Sequence, residues 1–254
     1  MSFKDKTAIV TGAAQGIGYE ISKSLLEQGC NVIINDIHPA AGKEALKKLH
    51  TFKEKVSFIQ GDSGELKLIK KLISTALETY NGLDFIIANA GITTVGSFLD
   101  YEEENFQEML RVNINGTFFI CQQAAKSFID RNAKGKIIVI SSTTGLRPHD
   151  DFEAYGMTKA AIAYLAKALG SQLAPKNIRV NSITPGATAT ERTISVPGYE
   201  EGWAKLIPTG RTSKTQDIAA TALFLLSDSA DQITGQNIIV DGGWSNKGLM
   251  PEAI

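Results

Sequence analysis

Tyr155 and Lys159 stand four residues apart in the run Tyr155-Gly156-Met157-Thr158-Lys159, on one face of a helix predicted to open near residue 153. A free phenol titrates near ~10, too high for a base at neutral pH. A neighbouring cation favours the phenolate, and lowering the phenol by about three pH units corresponds to roughly 4 kcal/mol of differential interaction. Such a pair can move a proton on or off an alcohol oxygen. Alone it is also an ordinary helix-surface pair, so its neighbours decide. Ser142 lies thirteen residues upstream, ending the apolar run IIVISS (137–142). That places a hydroxyl at the carboxyl edge of a sheet, where α/β proteins bind their ligands.

A second constellation opens the chain. The strand Thr7–Thr11 runs directly into TGAAQGIG (11–18), where a helical pattern begins. Gly12 permits a tight turn, Gly16 lets the backbone approach a pyrophosphate, and Gly18 lets the helix pack on the strand. Gly12, Gln15, Gly16, Ile17 and Gly18 thus form a candidate phosphate cradle, with the unpaired N–H groups and positive dipole end of the helix facing an anion. Asp36 ends the second strand, 18 residues beyond Gly18, where a carboxylate can accept from the adenosine ribose hydroxyls. It would repel a 2′-phosphate at roughly 4 kcal/mol per charge pair at ~4 Å and an effective dielectric of ~20. Gln15 and Ile37 supply no compensating cation, which leaves only His38. The expected cofactor is NAD rather than NADP.

These residues need a frame. Short, continuously apolar runs recur at Thr7–Thr11, Asn31–Asp36, Val56–Gln60, Asp84–Asn89, Lys136–Ser141, Arg179–Thr184 and Asn237–Asp241. They have the character of parallel strands buried on both faces. Between them lie stretches of helical period such as Ile17–Gln28, Glu65–Glu78 and Thr158–Leu173. The alternation predicts an α/β fold, a Rossmann-like doubly wound sheet of seven parallel strands with helices on both faces. No linker, repeat or low-complexity run divides residues 1–254, so one domain is expected. The least regular stretch, 186–213, carries Pro197, Gly198, Gly202, Pro208 and Gly210, and its length suggests a substrate lid.

Composition narrows the alternatives. The 254 residues carry 26 Lys+Arg against 27 Asp+Glu, a net charge of −1, which argues against nucleic-acid or anionic-membrane partners. Hydrophobic residues at 43% supply a sizeable core. Cys30 and Cys121 lack CxxC spacing and are too few for a disulfide framework, so no metal site is expected and a reducing compartment is. Without a signal-like N-terminus or an apolar run of ~20 residues, a cytoplasmic location is expected.

In order and spacing the chain resembles the short-chain dehydrogenase/reductase superfamily, in its single-domain branch, across nearly its whole length. The matching pieces are TGAAQGIG (11–18), Asp36, Gly61-Asp62, Asn89-Ala90-Gly91, Asn113, Ser142, Tyr155-x-x-x-Lys159, Pro185-Gly186 with Thr190, and ITGQNIIVDGG (233–243). The resemblance implies Tyr155 as base in oxidation and acid in reduction. Lys159 would assist Tyr155 and bond the nicotinamide ribose, and Ser142 would bond the substrate oxygen. Asn113, in a long helix, would hold a water linking Lys159 to solvent. Asp62, with Ser63 beside it, would meet the adenine amino group, and Asn89, Ala90 and Gly91 would border the adenine ribose. Pro185, Gly186, Thr188 and Thr190 would hold the nicotinamide carboxamide. Two departures, Ala88 in place of an Asn and Ser63 in place of a β-branched residue, lie away from this chemistry.

By position in the fold, Thr93, Thr94, Thr144, the segment Arg147-Pro148-His149-Asp150-Asp151-Phe152 and Trp203 border the substrate cavity. Their hydrogen-bonding groups suggest a polar alcohol or ketone, such as a sugar, polyol or hydroxy acid, although residues 149–151 also suit a solvated loop. A 3-oxoacyl-thioester reductase is the alternative, disfavoured because such reductases mostly use NADPH. Epimerases or dehydratases generally need a longer chain, and a non-catalytic dinucleotide-binding protein would not need all four candidate catalytic positions. The resemblance further implies a homotetramer, with helices near 105–130 and 152–174 at one interface and the C-terminal strand and tail at another.

Overall fold

A computed structural model of the chain describes residues 2–247. The expected interface role of the C-terminal tail falls partly on residues 248–254, outside those described. Strands β1 (Thr7–Thr11), β2 (Asn31–Asp36) and β3 (Val56–Gln60) alternate with helices α1 (Gly16–Glu27), α2 (Pro39–Lys48) and α3 (Leu66–Tyr80). The chain continues through β4 (Phe85–Ala88), α4 (Glu103–Met109), α5 (Thr117–Asp130), β5 (Gly135–Ile140), α6 (Glu153–Leu173) and β6 (Ile178–Pro185). A short strand β7 (Thr188–Ala189), helix α7 (Tyr199–Leu206), strand β8 (Ser213–Lys214), helix α8 (Thr215–Leu226) and β9 (Asn237–Val240) complete it.

Seven strands form one parallel sheet in the order β3-β2-β1-β4-β5-β6-β9. The period of two along each strand sends successive side chains into two separate cores. Ala8, Val10, Val32, Ile34, Ile138 and Ile140 face one, against Ile21 and Leu25 of α1 and Ile218, Ala222 and Leu225 of α8. Ile9, Ile33, Ile86, Ile137 and Val139 face the other, against α3, α5 and Ala166 of α6. Helix α3 earns its place by spacing: Leu68, Ile69, Leu72, Ile73 and Ala76 make one buried stripe. Burying one such Leu or Ile side chain contributes about 1.5–3 kcal/mol, which explains why continuous apolar strands were legible as two-faced ones.

The observed strands differ from the predicted ones by about one residue at their ends. Two departures are larger. Between α4 and α5 the helix widens into a π-helical stretch, Leu110–Gly116, so the long helix predicted around Asn113 is not regular there. Within 186–213, expected as irregular, β7 pairs in parallel with β8 and α7 forms between them, so the segment starts and ends on one small ladder.

The chain order reverses between β1 and β4, which are hydrogen-bonded neighbours although β2 and β3 intervene in sequence. At such a switch point the loops leaving the two strands diverge and leave a crevice at their carboxyl ends. Among the described residues, no helix is long and apolar enough to cross a membrane, and no cluster of His, Cys, Asp and Glu could hold a metal.

Candidate active site

The loop after β1 lies in that crevice. Gly12 has φ +60°, and a Cβ there would sit 2.8 Å from the Ala90 Cα, so both conformation and space require glycine. At Gly18 a Cβ would approach the Gly12 carbonyl oxygen to 2.5 Å, the tight helix–strand packing expected of it. The Asn89 side chain stitches the reversal shut: its Nδ2 donates to the carbonyls of Thr11 (3.0 Å) and Gly12 (2.8 Å), while the Asn89 and Ala90 amides donate to Thr11 Oγ1, each at 3.1 Å.

Helix α1 begins at Gly16 with no side-chain cap from Gln15, leaving first-turn amides in search of an acceptor. The Gly16 N–H finds one in Glu191 Oε2, at 3.0 Å, reached from the segment after β7. This carboxylate oxygen stands in for a phosphate oxygen, and it shows that the helix start accepts an anion where a dinucleotide's pyrophosphate is expected. Gly16 itself has φ +61°, a backbone conformation that favours glycine. The residues present therefore fit the cofactor.

Asp36 is turned onto the same loop. Its Oδ2 accepts from the Ala14 amide (3.2 Å) and its Oδ1 from the His38 amide (3.1 Å), which ties the carboxylate to the loop that carries Gly12. Next along the edge, Asp62 follows β3, whose last residue, Gln60, is in register with Asp36. Its Oδ1 accepts from the Gly64 amide (2.7 Å), and its Oδ2 pairs with Arg111 Nη2 at 2.5 Å. Burial opposes the charge on Asp62, and the guanidinium and the Gly64 amide outweigh it, holding the carboxyl below its usual range.

At the other end of the crevice Lys159 is only 4% exposed. Its Nζ donates to the Ile140 carbonyl (2.9 Å), at the end of β5, and lies 5.6 Å from the centroid of the Tyr155 ring. The Lys159 carbonyl in turn accepts from Ser141 Oγ at 2.8 Å. Ser142 begins the short turn 143–145, where its Oγ accepts from the Thr144 amide and its hydroxyl donates to Thr144 Oγ1, both at 3.2 Å. That turn lies directly on α6: a Cβ at Gly156 would meet the Thr144 carbonyl oxygen at 2.7 Å, and one at Gly145 the Ala160 nitrogen at 2.6 Å. Two glycines thus let the Ser142 turn close on the helix that carries Tyr155 and Lys159.

Asn113 is fully buried and its amide is committed: Oδ1 accepts from the Ile92 amide (2.8 Å), and Nδ2 donates to the Ile92 carbonyl (3.0 Å) and to Thr158 Oγ1 (3.1 Å). Gly91 faces both Asn113 Oδ1 and Lys159 Nζ, at 3.1 and 3.3 Å from its ideal Cβ position. A water serving Lys159 from Asn113 can use only what this bonding leaves, the second lone pair of Oδ1 or the main-chain carbonyl.

Pro185 ends β6, and Gly186 follows with its amide on the Val240 carbonyl (2.9 Å). Thr188 Oγ1 donates to the Gly186 carbonyl (2.9 Å), and the Thr190 amide to Thr193 Oγ1 (2.8 Å). The predicted carboxamide residues therefore share one braced turn beside Glu191.

The predicted substrate lining fares differently. The Thr94 hydroxyl is bonded to the Tyr101 hydroxyl, and Thr144 is spent on Ser142, so the lining has fewer free polar groups than its composition suggests. His149 is not a solvated loop residue: its ring stacks on Trp244 at 5.2 Å and 7°, with Trp203 edge-on at 6.2 Å from His149 and 5.5 Å from Trp244. Arg147 covers the same indole at 4.9 Å and donates to the Trp244 carbonyl. Burial, with the nearby Arg147 charge, holds His149 below the usual imidazole range. Trp244, Glu191 and Arg111 went unpredicted; no local pattern marks them, because each matters only through a partner distant in sequence.

Fold and site together define a dinucleotide-dependent oxidoreductase frame, and the chain belongs to the short-chain dehydrogenase/reductase family. A family model described as enoyl-(acyl carrier protein) reductase matches residues 12–245. The chain is 38% identical over 241 residues to the 3-oxoacyl-[acyl-carrier-protein] reductase FabG of Chlamydia trachomatis, covering 94% of this chain and 97% of that protein. It is 33% identical over 255 residues to the diacetyl reductase [(S)-acetoin forming] of Staphylococcus epidermidis, covering 94% and 98%. Among solved structures, 3-ketoacyl-(acyl-carrier-protein) reductase from Brucella melitensis complexed with NADH superposes with a TM-score of 0.90 at 28% identity, covering 96% of this chain and all of that one.

Proposed function

We propose that this protein is an NAD(H)-dependent oxidoreductase that interconverts a secondary alcohol and a ketone with Tyr155 as acid/base. The observation that carries the reading is the buried Lys159 ammonium, held by Ile140 beside the Tyr155 ring and behind the Ser142 turn. Gly12, Gln15, Gly16, Ile17 and Gly18 hold the pyrophosphate, with Asp36 on the adenosine ribose and Asp62 and Ser63 at the adenine. Asn89, Ala90 and Gly91 border that ribose; Pro185, Gly186, Thr188 and Thr190 take the carboxamide, and Lys159 the nicotinamide ribose. Bound nicotinamide supplies the hydride chemistry.

The chain's own residues handle orientation and the proton. Ser142 turns its hydroxyl from Thr144 to the substrate oxygen and stabilises charge developing there. In oxidation the Tyr155 phenolate takes the hydroxyl proton, and in reduction the phenol returns it. The Lys159 side chain lies beside the Tyr155 ring, and the proton reaches solvent through a water held at Asn113. The Asp36 carboxylate, with Gln15 and Ile37 rather than Lys or Arg at the neighbouring positions, makes NAD the better ligand than NADP.

The substrate we favour is polar, a sugar, polyol or hydroxy acid, flanked by Ser142, Thr94 and Thr144 and closed in by His149 and Trp203. The kinship to a diacetyl reductase supports a small carbonyl compound. Residues 186–213 act as the lid. Exposed Phe118 and Ile129 on α5 and Met157 and Tyr164 on α6 support a homotetramer built on those helices. Two buried free thiols suit a cytoplasmic setting.

A second reading, reduction of 3-oxoacyl thioesters, is favoured by the 38% identity to a protein of that name and by the NADH in the Brucella structure, which weakens the cofactor argument against it. The test is purified protein with NAD or NADP against sugars, polyols, hydroxy acids, simple secondary alcohols and a 3-oxoacyl thioester with NADH, with Tyr155→Phe as control. Turnover with NAD that falls by about 10³-fold or more in the variant supports the reading. Turnover only of the thioester selects the second, and turnover that survives in Tyr155→Phe sinks the mechanism.

A further inference from the structure

Arg111 stands on the π-helical stretch 110–116 and reaches two carboxylates. Its Nη2 donates to Asp62 Oδ2 at 2.5 Å, while Nε and Nη2 bind Glu108 Oε2 and Oε1, both at 2.7 Å. Glu108 holds the guanidinium as a two-point fork, so its free edge is aimed rather than mobile. The loop that follows β3 is shaped around it. At Gly64 a Cβ would meet Arg111 Nη1 at 2.5 Å, and at Gly116, the last residue of the π-helical stretch, a Cβ would meet the Ser63 carbonyl oxygen at 2.7 Å. Residues 62–64 are thus bolted to the π-helical stretch from both sides. The same seven residues carry Asn113, whose amide locks Ile92 to Thr158, the residue before Lys159.

We propose that Arg111 is a positioning residue for adenine recognition: its guanidinium fixes the Asp62 carboxylate so that the remaining acceptor sites face the 6-amino group of the bound dinucleotide. The inference rests on the cofactor reading above. Asp62 follows β3 beside the end of β2, and the Gly61 amide donates to the Asp36 carbonyl (3.0 Å), so the two carboxylates are neighbours along the edge where ribose and base are bound. The Gly64 amide takes one acceptor site of Oδ1 and Arg111 one of Oδ2, which leaves one on each oxygen. An ionised carboxylate only accepts, so it favours a base bearing an amino group at position 6 over one bearing an oxo group there. Burial alone would weaken that preference by disfavouring the charge, and Arg111 with Gly64 keeps it. Without the guanidinium the carboxylate is free to rotate and to take water, and the choice of base is lost.

The test is equilibrium binding of NADH and of reduced nicotinamide hypoxanthine dinucleotide, which carries the 6-oxo group, followed by nicotinamide fluorescence without any substrate. Wild-type protein is expected to bind NADH about 10-fold more tightly than the hypoxanthine compound. Arg111→Met is expected to bring the ratio below about 3, chiefly by weakening NADH, and Asp62→Asn to abolish or invert it. Arg111→Lys, which keeps a cation on one oxygen, should give an intermediate ratio and serves if the Met variant does not fold. If Arg111→Met or Arg111→Lys weakens both compounds equally, or leaves the wild-type ratio intact, Arg111 has no part in base selection. Wild-type protein that binds both compounds equally overturns the inference alone, whereas wild-type protein that binds neither overturns the cofactor reading together with it.

Discussion

The cradle between β1 and β4 is made of main chain. Its walls are the Gly12 turn, the Gly16 amide and the Asn89 bonds to two backbone carbonyls, and the Asp36 carboxylate beside it is itself held by two amides. The aromatic cluster, by contrast, is made of side chains from three segments: His149 before α6, Trp203 on α7 and Trp244 after β9. A main-chain site takes a ligand by shape and tolerates little change in sequence. A side-chain wall can be recast by single substitutions without touching the fold. On the site reading proposed above, that difference would let family members named for acyl-carrier thioesters and for a small diketone share one frame at such identities.

Three substitutions break or sharpen that contrast. If Asp36 selects the cofactor as proposed, Asp36→Ala removes the charge that opposes a 2′-phosphate, and an NAD-over-NADP preference in kcat/KM should fall about 10²-fold, below the ceiling set by an unscreened pair. A preference that does not move would show that the main-chain end does not choose the cofactor by this carboxylate. Trp203→Ala removes three aromatic contacts, with His149, Tyr199 and Trp244, of about 0.5–1.5 kcal/mol each, so substrate KM should rise about 10-fold while the NADH dissociation constant stays within about twofold. Equal losses in both would mean that the two ends are not separable. Glu191→Gln weakens the intramolecular anion on Gly16, and NADH affinity measured by titration should improve about threefold, the worth of one charge at a helix start. Weaker binding instead would mean that Glu191 supports the bound state rather than competing with it.

What the sequence made legible follows the same division. Continuous Val and Ile runs such as 32–34 and 137–140 have few alternatives to a buried parallel strand, so the sheet emerged within a residue at most ends. Gly12, Asp36, Ser142, Tyr155 and Lys159 were accessible because their chemistry is local or fixed by strand ends, and they do converge on one edge. The π-helical widening at 110–116 was hidden, since one extra residue per turn leaves no periodic trace in seven residues. Arg111 and Asp62, 49 residues apart, meet only through the sheet. His149 looked like a polar group on a loop, and nothing in Arg147-Pro148-His149 announces an indole from beyond β9 as its stacking partner.

The chain has two tryptophans, and they are these two, with ring centroids 5.5 Å apart. All of its indole emission therefore arises at the seam between α7 and the segment after β9, with a histidine ring and a guanidinium as its immediate quenching environment. At that separation the two indoles also couple in the near-ultraviolet, giving a circular dichroism signature that depends on their mutual angle of 78°. The protein thus carries its own optical gauge. Any swing of α7 would separate the rings and alter colour, intensity and ellipticity together, so a stopped-flow instrument can test for such a movement on unlabelled protein.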